Sequence, residues 1–189
     1  MLELAGVGPA DVVFDLGSGD GRIPIAAARD FGARAVGIDI DPALVARARE
    51  NARQAGVASR VTFHTGDMYA ADLTGATVVT LFLNPRPNLK LRPKLRASLP
   101  PGARIVSYIW DMGDWPPDAV RAVGGRRILL WRAPAAPGPD RGRRAYTDAP
   151  CWTIFDGPAV ISPPGPGGRP QPSSASRLRS APTRPHSRW

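Results

Sequence analysis

The chain has 189 residues, a length that suits one domain with a sizeable core. Its single cysteine, Cys151, excludes an internal disulfide and a cysteine-based zinc cluster, which favours a cytoplasmic location. No apolar run approaches the roughly 20 residues of a membrane span and no signal peptide is evident, so we expect neither.

The net charge of +9 is spread unevenly along the chain. Residues 1–132 carry 17 basic and 13 acidic side chains, whereas residues 133–189 carry 8 and 3. The second segment also contains 12 Pro and 6 Gly, a composition that disfavours a packed core. We therefore predict a domain over residues 1–132 and a mostly disordered tail over residues 133–189. The domain itself is only mildly basic, which gives little support for nucleic-acid binding.

Strands alternate with helices along the first 132 residues, as apolar runs and turn residues indicate. In chain order, we predict a strand at 11–16, a helix at 20–30, a strand at 33–39, a helix between Asp41 and Gly56, and strands at 60–64 and 76–83. A helix at 87–99 and strands at 103–110 and 126–131 follow. The alternation predicts an α/β fold: a Rossmann-like, doubly wound, mostly parallel sheet with helices on both faces. Ligands of such sheets bind beyond the carboxyl ends of the strands.

The first predicted strand runs into the most informative segment of the chain, Asp15-Leu16-Gly17-Ser18-Gly19-Asp20-Gly21-Arg22. Alternate glycines let the backbone turn sharply where a Cβ would collide with a ligand. A dinucleotide fingerprint needs its third glycine at position 22, so Arg22 disfavours a nicotinamide-dependent oxidoreductase. The spacing favours S-adenosylmethionine (SAM), with the glycines admitting its methionine part and Ser18 and Asp20 hydrogen-bonding its carboxylate and ammonium ends. A plain structural turn is the alternative.

Acidic residues stand at the ends of the first three predicted strands, at Asp15, Asp39 and Asp67. Asp39 is placed to accept hydrogen bonds from both hydroxyls of a ribose. Asp67 is placed to accept from an adenine amino group, with Ile40 and Met68 packing against the ring. Asp15 either fixes the glycine turn or reaches the ligand's amino group. For each acidic residue the alternative is a strand-end Asp that caps the following turn.

Polar and aromatic residues follow the fourth and fifth predicted strands and face the same crevice. Asn84, in an Asn-Pro turn, is a candidate to hold an acceptor nitrogen or to close over the cofactor; a turn without function is the alternative. Trp110 and Trp115 are candidates to line a channel for an alkylammonium group, or else packing residues. His64 and His186 are isolated in the sequence, so we predict no metal site.

With these residues the chain resembles class I (seven-strand) SAM-dependent methyltransferases. Within that class it is similar to the Dot1-like lysine methyltransferases and to the small bacterial relatives of mitochondrial lysine methyltransferases. The matching segments are residues 15–22, 36–39, 66–67, Asn84 and 95–107. The resemblance implies SAM as cofactor and N-methylation of a lysine in a protein partner.

Two departures from the family pattern bear on the expected fold. Such proteins usually carry a helix and a Pro-Thr or Pro-Ser segment before the first strand, whereas this chain begins at what looks like the end of that helix. They also usually finish with an antiparallel strand pair, of which the second partner is not evident here. We therefore expect the fold to be incomplete at both ends.

The methyl acceptor stays open at this stage. RNA, DNA and small molecules are alternatives to a protein lysine, and so is a SAM-binding remnant without activity. The segment Asn84-Pro85-Arg86-Pro87 resembles the Asn-Pro-Pro-aromatic motif of base methyltransferases but lacks its aromatic residue, so nothing there stacks on a flipped base. For a lysine, a partly desolvated aromatic channel favours the neutral amine, which makes a dedicated general base unnecessary.

Overall fold

Seven strands and four helices make up residues 1–135, the part of the chain that the computed structural model describes. The strands are β1 (Val12–Leu16), β2 (Arg34–Asp39), β3 (Val61–Thr65), β4 (Val78–Leu81), β5 (Arg104–Tyr108), β6 (Ala119–Val123) and β7 (Arg126–Arg132). The helices are α1 (Leu2–Ala5), α2 (Arg22–Phe31), α3 (Pro42–Gln54) and α4 (Pro85–Ser98). None of these helices is both long enough and apolar enough to cross a bilayer. From residue 136 onward the predicted tail lies outside the described residues, so it stays a prediction.

All seven strands belong to one sheet, in the order β3-β2-β1-β4-β5-β7-β6. The first five strands pair in parallel, and β7 runs antiparallel to both β5 and β6. The chain moves outward from β1 to β3 and then returns to place β4 on the other side of β1. This reversal opens a crevice beyond the carboxyl ends of β1 and β4. The predicted Rossmann-like fold is confirmed.

Helices cover both faces of the sheet and define two apolar layers. On one face, α1, α2 and α3 bury side chains such as Ile25 and Val45 against the strands. On the other face, α4 buries Leu91 and Leu95, together with Leu73 from the segment that joins β3 to β4. The two layers hold the strand ends, and therefore the turns that follow them, in fixed positions.

The antiparallel pair that the sequence did not reveal is present. Strands β6 and β7 form a hairpin whose two-residue turn, Gly124-Gly125, has φ values of 57° and 73°. Positive φ at both central residues is the geometry that joins tightly paired antiparallel strands, and glycine adopts it without strain. The expectation of a missing partner strand is therefore wrong. β6 escaped notice because it lies at the sheet edge and most of its residues are exposed, which leaves no alternation of apolar and polar residues.

Candidate functional site

The glycine turn after β1 is anchored to the end of β2. The backbone N–H groups of Gly17 and Ser18 both donate to the carbonyl oxygen of Ile38, at 2.8 and 3.0 Å. Gly17 has a φ of 77°, and a Cβ built on it would lie 2.7 Å from Cδ2 of Leu83. The positive φ favours glycine at position 17, and the two bonds to Ile38 hold the carboxyl ends of β1 and β2 together.

The carboxylate of Asp39 faces this turn. Its Oδ2 accepts a hydrogen bond from the N–H of Gly19 at 2.7 Å, and its Oδ1 accepts from the N–H of Asp41 at 3.0 Å. Both oxygens keep further acceptor capacity, because an ionised carboxylate has about four lone-pair sites. Asp39 is thus oriented toward the crevice before any ligand binds.

A cavity of about 290 Å³ lies beside Asp39, and we call it the Asp39 cavity. Asp67 borders it and accepts from the N–H of Tyr69 at 2.8 Å, which fixes the turn after β3. Ile40, 74% exposed, and the half-buried Met68 give it apolar walls. The structure therefore brings together four of the residues predicted to hold the adenosine part of a ligand. The lining residues are Gly17, Ile38, Asp39, Ile40, Gly66, Asp67, Met68, Tyr69 and Leu83.

A second cavity of about 380 Å³, the Ser18 cavity, shares Gly17 with the first and lies along the other side of the glycine turn. Ser18 lines this cavity, but its hydroxyl oxygen is buried against Gly37, 2.8 Å from the position that a Cβ on that glycine would take. Within residues 1–135 this oxygen has no hydrogen-bond partner, which is costly for a buried polar atom. The lining residues are Asp15, Gly17, Ser18, Gly19, Asp20, Arg22, Ile23, Leu44, Arg47 and Phe82.

Asp20 borders the Ser18 cavity with its carboxylate already engaged. Arg22 donates two hydrogen bonds to it, from Nε at 3.0 Å and from Nη2 at 2.9 Å. These bonds and the charge of the guanidinium lower the pKa of Asp20. The carbonyl oxygen of Asp20 accepts from Asn51 on α3 at 2.9 Å, which ties the turn to that helix.

Asp15 lies beneath the turn and is 2% exposed. Its Oδ1 accepts a hydrogen bond from the hydroxyl of Thr80 on β4 at 2.6 Å. Burial, with a smaller contribution from the negative charge of Asp39, raises the pKa of Asp15 to about 7 despite the Thr80 bond. The Thr80 bond joins the end of β1 to β4 and does not involve the glycine turn, so both predicted roles of Asp15 stay predictions.

Gly21 differs from the other two glycines of the motif. A Cβ at position 21 would lie 2.6 Å from Cζ of Phe63 and 2.9 Å from Cβ of Ala48, both in the apolar core. Its N–H donates to the carbonyl oxygen of Ser18 at 2.9 Å, within the turn itself. This placement disagrees with the prediction that Gly21 admits the ligand: its missing side chain serves the packing of α2 and α3 on the sheet. Around Gly19, by contrast, no atom lies within 4 Å of the Cβ position.

Across the crevice, Asn84 is the N-cap residue of α4, and its exposed side chain makes no hydrogen bond within residues 1–135. Trp110, which is 41% exposed, follows β5 on the same edge of the sheet. Between β5 and Trp110 the backbone makes a γ-turn: Ile109 has a φ of 71°, and the N–H of Trp110 donates to the carbonyl oxygen of Tyr108 at 2.9 Å. Asn84 and Trp110 therefore lie at the same edge as the two cavities.

Trp115 lies elsewhere, contrary to its predicted place in the acceptor channel. Its ring packs against Trp131, with the centroids 6.2 Å apart, and beneath the guanidinium of Arg96. Its carbonyl oxygen accepts from Nε1 of Trp131 at 2.8 Å. Trp131 pairs with Ile105, toward the N-terminal end of β5, whereas the crevice opens at the other end of that strand. Trp115 is a packing residue of the layer beneath α4.

Sequence reasoning missed two features of the acceptor side. Asn88, fully buried in the first turn of α4, donates from Nδ2 to the hydroxyl of Ser107 at 2.9 Å and to the carbonyl oxygen of Trp110 at 3.1 Å. Phe82 and Tyr108 form an edge-to-face pair with centroids 4.5 Å apart, and Phe82 borders the Ser18 cavity. Helical spacing was the one signal for Asn88, because it lies three residues before Leu91 and seven before Leu95, on the buried face of α4.

Comparison with known proteins agrees with this geometry. Residues 15–119 match the protein family described as the ANTKMT methyltransferase domain. A protein-lysine N-methyltransferase of Saccharolobus islandicus is 43% identical over 121 residues, which is 64% of this chain and 75% of that protein. The adenine nucleotide translocase lysine N-methyltransferase of Mus musculus is 42% identical over 118 residues, which is 62% of this chain. The chain spans 51%, about half, of the mouse protein's length.

Solved structures of methyltransferases also resemble this chain. A structure described as an RNA methyltransferase from Salinibacter ruber, in complex with S-adenosyl-L-homocysteine, has a TM-score of 0.70 and 54% identity, covering 71% of this chain and 88% of that one. A SAM-dependent methyltransferase from Geobacter sulfurreducens, also with S-adenosyl-L-homocysteine, has a TM-score of 0.51 and 32% identity, covering 56% of this chain and 45% of that one. Fold and crevice thus define a class I SAM-dependent methyltransferase. Within that class, the chain belongs to the ANTKMT methyltransferase domain family, and its cofactor is SAM.

The residues of the crevice fit this cofactor. The apolar Asp39 cavity, with carboxylates at its edge, suits an adenosine group, and the polar Ser18 cavity suits the charged end of a methionine. The open space at Gly19 lies at the Ser18 cavity, where that end would pass. Because Gly17 borders both cavities, a ligand that occupies them together must cross the glycine turn.

Proposed function

We propose that this protein transfers a methyl group to the ε-amino group of a lysine in another protein. The observation that carries the proposal is the membership in a family whose relatives from Saccharolobus islandicus and Mus musculus are named as lysine N-methyltransferases. The acceptor side adds support, since a side-chain amide at Asn84 and an aromatic pair at Phe82 and Tyr108 stand beside the cofactor crevice.

Binding of the cofactor rests on the three turns at the carboxyl edge. Asp39 accepts hydrogen bonds from the ribose hydroxyls, and Asp67 accepts from the adenine amino group, with Ile40 and Met68 against the ring. Ser18 and Gly19 orient the methionine part. Asp39 is already held by two backbone N–H groups, so little ordering accompanies binding.

The bound SAM supplies a methyl group that is activated by its sulfonium, so the protein's task is to position a neutral amine in line with it. The Asn84 side-chain oxygen accepts a hydrogen bond from the acceptor nitrogen and directs its lone pair. Phe82, Tyr108 and Trp110 displace water around the lysine and disfavour its charged form, since a free lysine has a pKa near 10.4. The neutral amine therefore forms by loss of its proton to solvent before transfer, without a dedicated base.

The proposal is tested by incubating the protein with SAM labelled in the methyl group, together with protein and RNA fractions of a cell lysate. We expect label in the protein fraction, released as methyllysine on acid hydrolysis. Asn84→Ala is expected to lower kcat roughly tenfold to a hundredfold, because it removes a hydrogen bond in the transition state, and to leave the Kd for SAM within about twofold. Asp39→Ala, which removes the ribose contacts, is the matched variant in which the Kd rises. Unchanged kcat in Asn84→Ala contradicts the role of Asn84, and label on another amino acid contradicts the lysine.

RNA is the second candidate acceptor, because the Salinibacter ruber structure is described as an RNA methyltransferase at 54% identity. The same assay separates the two. Label recovered in nucleosides, with none in methyllysine, favours RNA and contradicts the protein acceptor.

A further inference from the structure

A third cavity, of about 480 Å³, lies between α1, α2 and the β6–β7 hairpin, and we call it the apolar groove. Its walls are mainly aliphatic and aromatic; the residues that form them include Leu4, Ile23, Ala26, Phe31, Val123 and Ile128. Charged side chains stand at its rim, where Arg121 approaches Glu3 at 3.8 Å and Arg22 is exposed. Val123 is 54% exposed, so the groove presents apolar surface to solvent.

The groove adjoins the Ser18 cavity. Arg22 and Ile23, at the start of α2, line both. A second connection runs through the aromatic pair: Phe82 borders the Ser18 cavity and packs against Tyr108, which pairs in the sheet with Ile128 of the groove. The groove therefore lies next to the cavity that suits the charged end of the methionine.

From this adjacency we infer that the apolar groove binds the aliphatic side chains that flank the target lysine in a polypeptide acceptor. The inference rests on the proposed function, because it assigns the groove to the same acceptor. The apolar walls favour aliphatic flanks over polar ones, because aliphatic side chains gain most from leaving water there.

Strand β6 offers a matched pair of variants. Val120 and Val123 are 53% and 54% exposed, and an odd separation along a strand places them on opposite faces of the sheet. Val123 lines the groove, whereas Val120 does not. Val123→Asp therefore brings a charge into the groove, and Val120→Asp makes the same change on the other face of the same strand.

The experiment measures binding of a fluorescein-labelled peptide, in which one lysine is flanked by leucine and valine, to the full chain saturated with S-adenosyl-L-homocysteine. We expect Val123→Asp to raise the peptide Kd at least about tenfold and Val120→Asp to change it less than about twofold. A peptide with serine flanks should bind at least about tenfold more weakly to the unsubstituted protein. Ala26→Leu, which fills the groove without adding charge, should act like Val123→Asp and serves if the aspartate variant does not fold.

The outcomes distinguish this inference from the proposed function. Equal peptide binding by the Val123 and Val120 variants, or no preference for aliphatic flanks, contradicts binding of the flanks in the apolar groove, even if lysine is methylated. Selective binding that depends on Val123, without methyllysine in the transfer assay, supports the groove and contradicts the lysine acceptor.

Discussion

The cofactor side and the acceptor side of the crevice are built from different kinds of contact. On the cofactor side, the turns at 17–21, 39–41 and 66–69 each follow a strand directly, and backbone N–H groups donate the hydrogen bonds that hold them. On the acceptor side, α4 and the segment after β5 are joined by the buried side-chain amide of Asn88. Turns that continue paired strands are held by the sheet itself, whereas the position of the acceptor side depends on one side chain and on the packing of α4.

Asp15, beneath the glycine turn, joins the end of β1 to β4 through its bond to Thr80, and its replacement is expected to have the largest effect. Its pKa rises from 3.8 to about 7 in the fold, so between these values the folded protein keeps a proton that the unfolded chain releases. Stability therefore falls as pH rises from about 4 to about 7, by on the order of 4 kcal/mol in total, and stays level above that. Asp15→Asn, whose side-chain oxygen still accepts from Thr80, should abolish this decline.

Urea unfolding of both proteins between pH 4 and 8 measures this effect. The difference between their free energies of unfolding isolates Asp15, because carboxylates with a lowered pKa, such as Asp20, titrate alike in both. A difference that does not change with pH would show that Asp15 is ionised in the fold.

Alanine substitutions at Gly19 and Gly21 should separate an effect on SAM binding from an effect on core packing. Gly21→Ala places a Cβ against Phe63 and Ala48 at a φ of 82°, and we expect a loss of about 3 kcal/mol in the free energy of unfolding. Gly19→Ala meets open space, so its cost is limited to the backbone, about 1 kcal/mol, while the Kd for SAM rises roughly tenfold. Thermal unfolding and calorimetric titration give both quantities. A larger stability loss for Gly19→Ala than for Gly21→Ala would reverse the assignment.

Replacement of Asn88 tests the acceptor side. We expect Asn88→Ala to lower the free energy of unfolding by about 2 kcal/mol, because the buried acceptors at Ser107 and Trp110 lose their donor. The turn that carries Trp110 then loses its fixed position, so kcat/KM for the acceptor should fall about tenfold while the Kd for SAM stays the same. Ser107→Ala, which removes one partner and leaves the carbonyl bond, is the matched control and should alter kcat/KM less than about twofold. Equal effects of the two variants on kcat/KM would contradict a positioning role for Asn88.

The cofactor side was largely predictable from sequence because its signals are local. A strand, a carboxylate and a glycine turn at fixed spacing require only a few consecutive residues, and Asp39 indeed faces the turn. The packing role of Gly21 was not predicted, because the motif does not show on which side of the backbone a Cβ would lie. Its neighbours there are Phe63 and Ala48, from two other elements.

The acceptor side was harder to predict because its residues are brought together by the fold. Trp110 and Trp115 are alike in sequence, and only the pairing of β7 with β5 shows that the second packs against Trp131. Asn88 donates a hydrogen bond to Ser107 across the layer between α4 and β5, and helix periodicity does not indicate this partner. Strand β6 lacks alternation, and its place in the sheet follows from the glycine turn to β7.

The left-handed backbone at Ile109 links the stability of the protein to its activity. A branched residue at a φ of 71° stores on the order of 1–3 kcal/mol, which the rest of the fold must offset. Selection for heat resistance alone would favour glycine at this position, since glycine relieves that strain. The same change would loosen the chain that carries the Trp110 indole. A change from Ile109 to glycine is therefore expected to raise the free energy of unfolding and to lower kcat.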